Sequence, residues 1–352
     1  MGMRCIATPA DTALAWLSAA ERAALEGVRH LSTRFPDARL REVPLVRAFE
    51  LDAQADPGGA TRVWLALEAL QVTGSFKVRG ALVSVAANRS RGHVVAASAD
   101  NHGLAVAYAA RVLDVPATIC VPRRASPPRR AKLRSYGAEL VITHSDHDHD
   151  AEALAKEIAA TQGAAFVSAS DDLDVVRGSG ASLGFEIVRA LGGVPERVLA
   201  PVGSGGLATG LSWALWAEAG APLHGERCVW GVEAEAQCAV AAAFEGGPLG
   251  DPGRGGAREP GPPLTAEGFA RARAALAGVL VLPEGDIRAA MVHAHRDMGL
   301  VLEWRAAAAL APVLRGLPPP LRGGDVVVVL TGRNIEPQHA DAVLDRTGDG
   351  GL

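Results

Sequence analysis

Ser75-Phe76-Lys77-Val78-Arg79-Gly80-Ala81 follows the apolar, strand-like run Val63-Trp64-Leu65-Ala66-Leu67, and its reading decides the fold. A lysine seated where a helix starts beyond a buried strand is costly to desolvate as a cation. Its pKa then falls, and a neutral amine can attack an aldehyde to form a Schiff base. The same heptapeptide also reads as a surface lysine at a helix N-terminus, so the flanking sequence has to discriminate.

Beyond residue 60, short β-rich runs alternate with helical patterns of roughly 10–15 residues, the signature of βαβ units on a parallel sheet. Strands are expected at 93–98, 117–121, 140–143, 165–168, 198–202, 229–233 and 325–330. Helices are expected at 101–112, 128–135, 150–162, 182–191, 207–219 and 286–297. The run 325–330 is so rich in valine that it suits an interior strand buried on both faces. Residues 14–29 read as a helix in an N-terminal extension, and the Gly- and Pro-dense stretch 245–263 as a long loop.

Composition narrows the functional classes. A chain of 352 residues with 49% hydrophobic content has room for two domains and material for their cores. Its formal charge of −4 gives no reason to expect nucleic acid or an anionic membrane as partner. No apolar run is long enough to span a bilayer, and Met1-Gly2-Met3-Arg4-Cys5 lacks the apolar region of a secretory signal. Cys5, Cys120, Cys228 and Cys238 form no CxxC pair and fit reduced thiols in a cytoplasm better than a disulfide framework.

Three further segments sit at strand ends. Pro201-Val202-Gly203-Ser204-Gly205-Gly206-Leu207-Ala208-Thr209-Gly210 opens a helix, where glycines let backbone N–H groups approach an anion. It lacks the Lys-Ser/Thr ending of a nucleoside triphosphate loop. It also comes too late in the chain for a dinucleotide site in the first βα turn. A monophosphate fits it best, and a plain tight turn is the alternative. Ser98-Ala99-Asp100-Asn101-His102-Gly103 lies between strand and helix, where Asp100 or Asn101 also suits an N-cap. Leu330-Thr331-Gly332-Arg333-Asn334 ends the valine-rich strand, at the edge where open α/β sheets bind ligands.

From Leu67-Glu68-Ala69-Leu70-Gln71-Val72-Thr73-Gly74 through Ala81, together with the glycine stretch, the chain resembles fold-type II pyridoxal-phosphate enzymes of the threonine/serine dehydratase-like branch, within the tryptophan synthase beta superfamily. The resemblance runs from about residue 43 to 334. It implies an α/β fold of two parallel-sheet-based, three-layer αβα domains with pyridoxal 5'-phosphate in the cleft. Residues 1–92 and 172–352 would form the larger domain, with part of residues 1–40 as the helical extension, and 93–171 the smaller inserted one. A homodimer is implied too. By this likeness Lys77 is the Schiff-base lysine, and Gly203, Ser204, Gly205, Gly206 and Leu207 hold the phosphate. Asn101 would hydrogen-bond the phenolic oxygen, Phe76 would pack near the ring, and Thr331 would meet the pyridine nitrogen. Ser75 and the loop of Ser98, Ala99, Asp100, Asn101 and His102 would face the carboxylate of an amino-acid substrate.

The implied activity is α,β-elimination from a β-hydroxy or β-substituted α-amino acid, giving a 2-oxo acid and ammonia. A hydroxyl at the pyridine nitrogen does not hold that nitrogen protonated. The ring is then a weaker electron sink, and a β-leaving group departs before reprotonation. Lys77, as a neutral amine, would remove the α-proton.

Several positions depart from the pattern. Asp100 stands where the branch has glycine, and a carboxylate about 4 Å from a substrate carboxylate costs about 4 kcal/mol at an effective dielectric near 20. Either Asp100 turns outward as a helix cap, or it acts as an extra acid/base, or the substrate is not plain serine or threonine; the last is the expectation. Arg333 replaces a second glycine, and Glu303-Trp304-Arg305-Ala306-Ala307 replaces a Glu-Pro-small-Gly-Ala pattern. Either arginine would bind a second anionic group, pair with Asp100, or form an ordinary surface salt bridge. Ala99 replaces the serine of racemase members. Ala239 stands where metal-stimulated members carry a carboxylate after Glu233, so no cation is expected there. The tract His144-Ser145-Asp146-His147-Asp148-His149-Asp150 reads as a divalent-metal site or as a solvated loop with Asp148 or Asp150 capping. Two rival functions remain: a β-replacement synthase, and a cofactor-binding protein with altered catalysis.

Overall fold

The valine run that ends the strand series becomes the middle of a sheet. In the computed structural model, which describes residues 2–8, 18–219, 227–247, 265–318 and 321–345, the described residues contain eleven strands. They are β1 Arg4–Ala7, β2 Leu45–Arg47, β3 Arg62–Ala66, β4 Val94–Ala97, β5 Ala117–Val121, β6 Glu139–Ile142, β7 Ala165–Phe166, β8 Arg197–Pro201, β9 Val229–Ala234, β10 Gly278–Leu282 and β11 Asp325–Val329. Seven form one sheet in the order β1-β10-β9-β8-β11-β3-β2, and four form a second in the order β6-β5-β4-β7. β11 lies between β8 and β3, parallel to both, and Val326 to Val329 are fully buried. Each buried valine side chain contributes on the order of 1.5–3 kcal/mol of transfer free energy. Asp325, at the strand's entry, stays polar by accepting from Arg62 and from Trp64 Nε1 at 2.7 Å.

The parallel βα reading holds for the interior of both sheets but not for the outer edges of the larger one. β1 and β2 are antiparallel to β10 and β3. Such edge strands need no crossover helix and are common on otherwise parallel sheets. The helix Asn101–Val112 and strand β5 have the expected bounds, and Asp148–Gln162, Gly206–Ala219 and Glu284–Arg296 lie close to theirs. Strand β10 and the helix Ala266–Ala275 were not anticipated. In the N-terminal extension the described helix is Ala19–Glu26, started by a capping box of Ser18 and Glu21; residues 9–17 lie outside the described residues. The expected loop 245–263 likewise lies outside them from residue 248 onward.

The helix expected at 182–191 is longer than its pattern. Leu173–Val176 runs through a π turn, Arg177–Ala181, into Ser182–Leu191. Glycine makes this turn the packing hub of the molecule. A Cβ on Gly178 would lie 2.7 Å from Gly80 Cα, and one on Gly180 would lie 2.3 Å from Leu207 O. The helix Lys77–Ala87 and the helix Gly206–Ala219 therefore press backbone to backbone on the same turn. That contact fixes the lysine segment relative to the glycine loop.

Candidate active site

Chain entry to Lys77 is set by hydrogen bonds between two loops. After β3, residues 69–76 run beside residues 330–333. Ala69 N–H donates to Leu330 O at 2.8 Å, Phe76 N–H to Thr331 O at 3.1 Å, and Arg333 N–H to Gly74 O at 3.0 Å. Thr73 takes a left-handed conformation (φ 66°) to make the turn. Lys77 is the first residue of its helix, and Thr331 sits beside it. The Lys77 amine is part-buried, donates to Ala169 O at 3.4 Å and lies 5.2 Å from the Phe76 ring centre. Burial, then the positive charge of Arg305, lower its pKa to about 8, against an opposing pull from Glu303. Neighbouring Ser75 Oγ and Thr73 Oγ1 are buried without a hydrogen-bond partner, a costly state unless a bound group completes it.

Two residues beyond the lysine, Arg79 is fully buried. Its guanidinium forms ion pairs at 2.8 Å with Glu68 and with Glu186, both buried. It also donates to Arg41 O at 3.2 Å, and Glu186 accepts from Val43 N–H at 2.7 Å. Burial raises the pKa of Glu68, against the lowering effect of Arg79. This triad clamps the base of the lysine helix to residues 41–43 and to Ser182–Leu191.

The glycine loop follows β8. Gly205 has φ +84°, and a Cβ there would lie 2.7 Å from Ala272 Cβ on the unanticipated helix Ala266–Ala275. Only glycine fits that turn. Its first residues leave unsatisfied backbone N–H groups pointing along the axis of a 14-residue helix. Ser204 and Leu207 are buried.

The loop after β4 behaves differently from its expectation at one residue. Asp100 occupies the N-cap position by backbone but makes no capping hydrogen bond; Ser98 Oγ accepts from Asp100 N–H at 3.0 Å instead. The Asp100 carboxylate turns outward to Arg129 at 2.5 Å and is 52% exposed. Arg129, on helix Pro127–Ser135, is thus a cation that this carboxylate meets, where Arg305 or Arg333 was the expectation. Arg333 is exposed. Ala99 is buried, and His102 is buried with Nε2 donating to Val167 O at 3.0 Å. Burial, then the charge of Lys77, lower the His102 pKa to about 4, so it is neutral.

Asn101 finds two partners that local sequence does not announce. Its Nδ2 donates to both Glu303 oxygens at 2.9 Å, and its Oδ1 accepts from Asn334 Nδ2 at 2.6 Å. Asn334 Nδ2 also reaches Thr73 O at 2.8 Å, and Lys132 donates to Asn334 Oδ1 at 2.8 Å. Burial raises the Glu303 pKa, with the Asn101 hydrogen bond opposing. The structure therefore gathers Lys77, Phe76, Ser75, Thr331, Asn101 and the glycine loop at the carboxyl ends of β3, β4, β8 and β11. In the His144–Asp150 tract the helix starts at Asp148 with no side-chain cap, and Asp146 and Asp148 pair with Arg123 and Arg124. Among the described residues no cluster of three or more His, Cys, Asp or Glu side chains is arranged to hold a metal ion. None of the described helices is long and apolar enough to cross a membrane.

Residues 38–332 match the family described as pyridoxal-phosphate dependent enzymes. The chain belongs to that family. It is 33% identical over 299 residues to the L-threonine ammonia-lyase of Thermotoga maritima, covering 81% of this chain and 70% of that one. It is 33% identical over 292 residues to the phenylserine dehydratase of Ralstonia pickettii, covering 80% and 85%. The processed form of threonine deaminase isoform 2 from Solanum lycopersicum shares the fold, with a TM-score of 0.81 over 99% of this chain and 98% of that one at 21% identity. The chain is a pyridoxal-phosphate-dependent lyase of the elimination type. The site suits the cofactor: an amine of lowered pKa, a loop whose Gly205 admits no side chain, and buried hydroxyls of Thr73 and Ser75 awaiting partners.

Proposed function

We propose that this lyase removes the β-hydroxyl and α-proton from a β-hydroxy α-amino acid, releasing a 2-oxo acid and ammonia, and that Lys77 is its catalytic base. The observation that carries the reading is the Lys77 amine, held part-buried against Ala169 O with its pKa lowered to about 8. Pyridoxal phosphate, bound through Lys77, supplies an electron sink conjugated to the substrate α-carbon. With its pKa lowered to about 8, Lys77 would be neutral above that pH and could take the substrate's α-proton. Backbone N–H groups of the Gly203–Leu207 loop hold the phosphate, and Phe76 packs on the ring. Asn101 would orient the phenolic oxygen by turning one Nδ2 hydrogen from Glu303, and the Thr331 hydroxyl would leave the pyridine nitrogen unprotonated. Ser75 and the Ser98–His102 loop receive the substrate carboxylate.

Asp100 was the reason to expect a substrate other than plain serine or threonine. With its carboxylate turned to Arg129, most of that repulsion is removed. Threonine, serine and phenylserine therefore fall within the proposed class. We further assign residues 93–171 to a small domain that closes over the cleft and excludes water, and we propose a cytoplasmic homodimer. Ammonia and 2-oxo acid release across a panel of β-hydroxy amino acids tests the reaction. Stoichiometric release abolished in Lys77→Ala is expected; formation of a new amino acid from an added nucleophile, without ammonia release, overturns it.

A further inference from the structure

A cation stands against the glycine loop, and among the described residues no anion forms an ion pair with it. Arg305 Nη1 lies 3.1 Å from where a Cβ on Gly203 would be, so the guanidinium packs on the loop's first glycine. With Val202, Gly203, Glu233, Gln237 and Trp304 it lines a cavity of about 40 Å³ at the carboxyl ends of β8 and β9. Among the described residues no carboxylate lies within ion-pair distance of Arg305. Its polar contact is Nη2 to Gln237 Oε1 at 3.5 Å, the outer limit of a hydrogen bond.

The nearby carboxylates are engaged elsewhere. Glu233 accepts from Val240 and Ala241 N–H at 3.0 and 2.8 Å. Burial pushes its pKa up to about 7, so it is a weak counter-charge. Glu303 is held by Asn101. Both carboxylates feel the charge of Arg305, but neither meets it as an ion pair, and its planar fork of donors suits a phosphate oxygen pair. The loop it touches is the one whose backbone geometry suits an anion.

We propose that Arg305 completes the phosphate site: its guanidinium adds a charged donor to the backbone N–H groups of Gly203–Leu207. The assignment rests on the proposed reading that this loop holds the cofactor phosphate. It makes anchoring in this chain depend on a side chain from the segment 303–307 as well as on backbone. The same positive charge also lowers the Lys77 pKa.

The test compares two aldehydes on the full-length chain freed of cofactor. Pyridoxal 5'-phosphate and pyridoxal are titrated separately, and the visible absorption of the lysine-linked chromophore is read for wild type, R305Q and R305K. At a pH well above the Lys77 midpoint, where loss of the Arg305 charge no longer alters how much of the amine is neutral, R305Q is expected to weaken binding of the phosphorylated aldehyde by roughly 10- to 100-fold more than that of pyridoxal, the value of a charge-assisted hydrogen bond. R305K restores part of the loss, since it keeps the charge without the fork. An unchanged preference for the phosphorylated aldehyde in R305Q overturns the proposal, including the case where only the KM of substrates with a second carboxylate rises. Equal loss of both aldehydes contradicts it as well. A wild-type chain that takes up neither aldehyde at Lys77 overturns the cofactor-site reading itself, and this assignment with it.

Discussion

Asn101 Nδ2 donates to both carboxylate oxygens of Glu303 at 2.9 Å, across 202 positions of sequence. This pair joins the helix after β4 to the segment preceding Trp304–Ala308, close enough to Lys77 for Glu303 to act on its charge. Glu303 raises the Lys77 pKa and Arg305 lowers it, with burial as the larger lowering effect. Capture of pyridoxal 5'-phosphate by the cofactor-free chain should therefore speed up as pH rises through about 8, where the amine loses its proton. Glu303→Gln should move that midpoint down, and Arg305→Gln should move it up. Stopped-flow absorbance against pH measures both shifts, and a midpoint that neither substitution moves contradicts the electrostatic account.

If the Ser98–His102 loop receives the substrate carboxylate as proposed, the ion pair of Asp100 with Arg129 keeps a second carboxylate away from it. Arg129→Gln should raise KM several-fold with little change in kcat, and Asp100→Asn in that background should reverse the rise. Because Asp100 is 52% exposed, the pair contributes at most about 1 kcal/mol to stability. Thermal melting should barely shift while KM does.

Arg79 carries a larger structural burden. Replacing it with Met leaves Glu68 and Glu186 buried without their cation, which costs roughly 3–5 kcal/mol. Urea unfolding of Arg79→Met measures that loss. Replacing all three residues together with apolar side chains should recover much of it, since no uncompensated charge then remains.

Gly205→Ala forces a Cβ to within 2.7 Å of Ala272 at φ +84°. Backbone strain of about 1–3 kcal/mol follows, concentrated in the proposed phosphate loop. Affinity for pyridoxal 5'-phosphate should fall more than the melting temperature does; equal falls in both would mean the loop serves folding alone.

Much of this arrangement is legible along the chain. The valine run 326–329 announces an interior strand, and the helix 101–112 and strand 117–121 follow from periodicity and their flanking breakers. Lys77 and the glycine loop declare themselves through the residue types their turns require. What was hidden depends on distance in sequence. Glu303 reads as one member of an altered pentapeptide, and nothing local shows that it meets Asn101. Arg129 lies in the expected helix 128–135, and nothing local shows that it meets Asp100. Arg-Gly-Ser-Gly-Ala at 177–181 falls outside the helix expected at 182–191, since its glycines are poor helix formers. The structure uses them for close approach to Gly80 and Leu207, a tertiary demand that local propensity does not carry. Strand β1 is only four residues, and its pairing with β10 is set by a partner more than 270 positions away.

The most direct measurement is borohydride reduction of the chain with bound pyridoxal 5'-phosphate, followed by peptide mass mapping. The sequence contains three lysines, Lys77, Lys132 and Lys156, and the latter two are engaged with Asn334 and Glu152. The account predicts one phosphopyridoxyl group per chain, on Lys77, and none in Lys77→Ala. Stable labelling of Lys132 or Lys156 in the wild-type chain, with Lys77 unmodified, would contradict it.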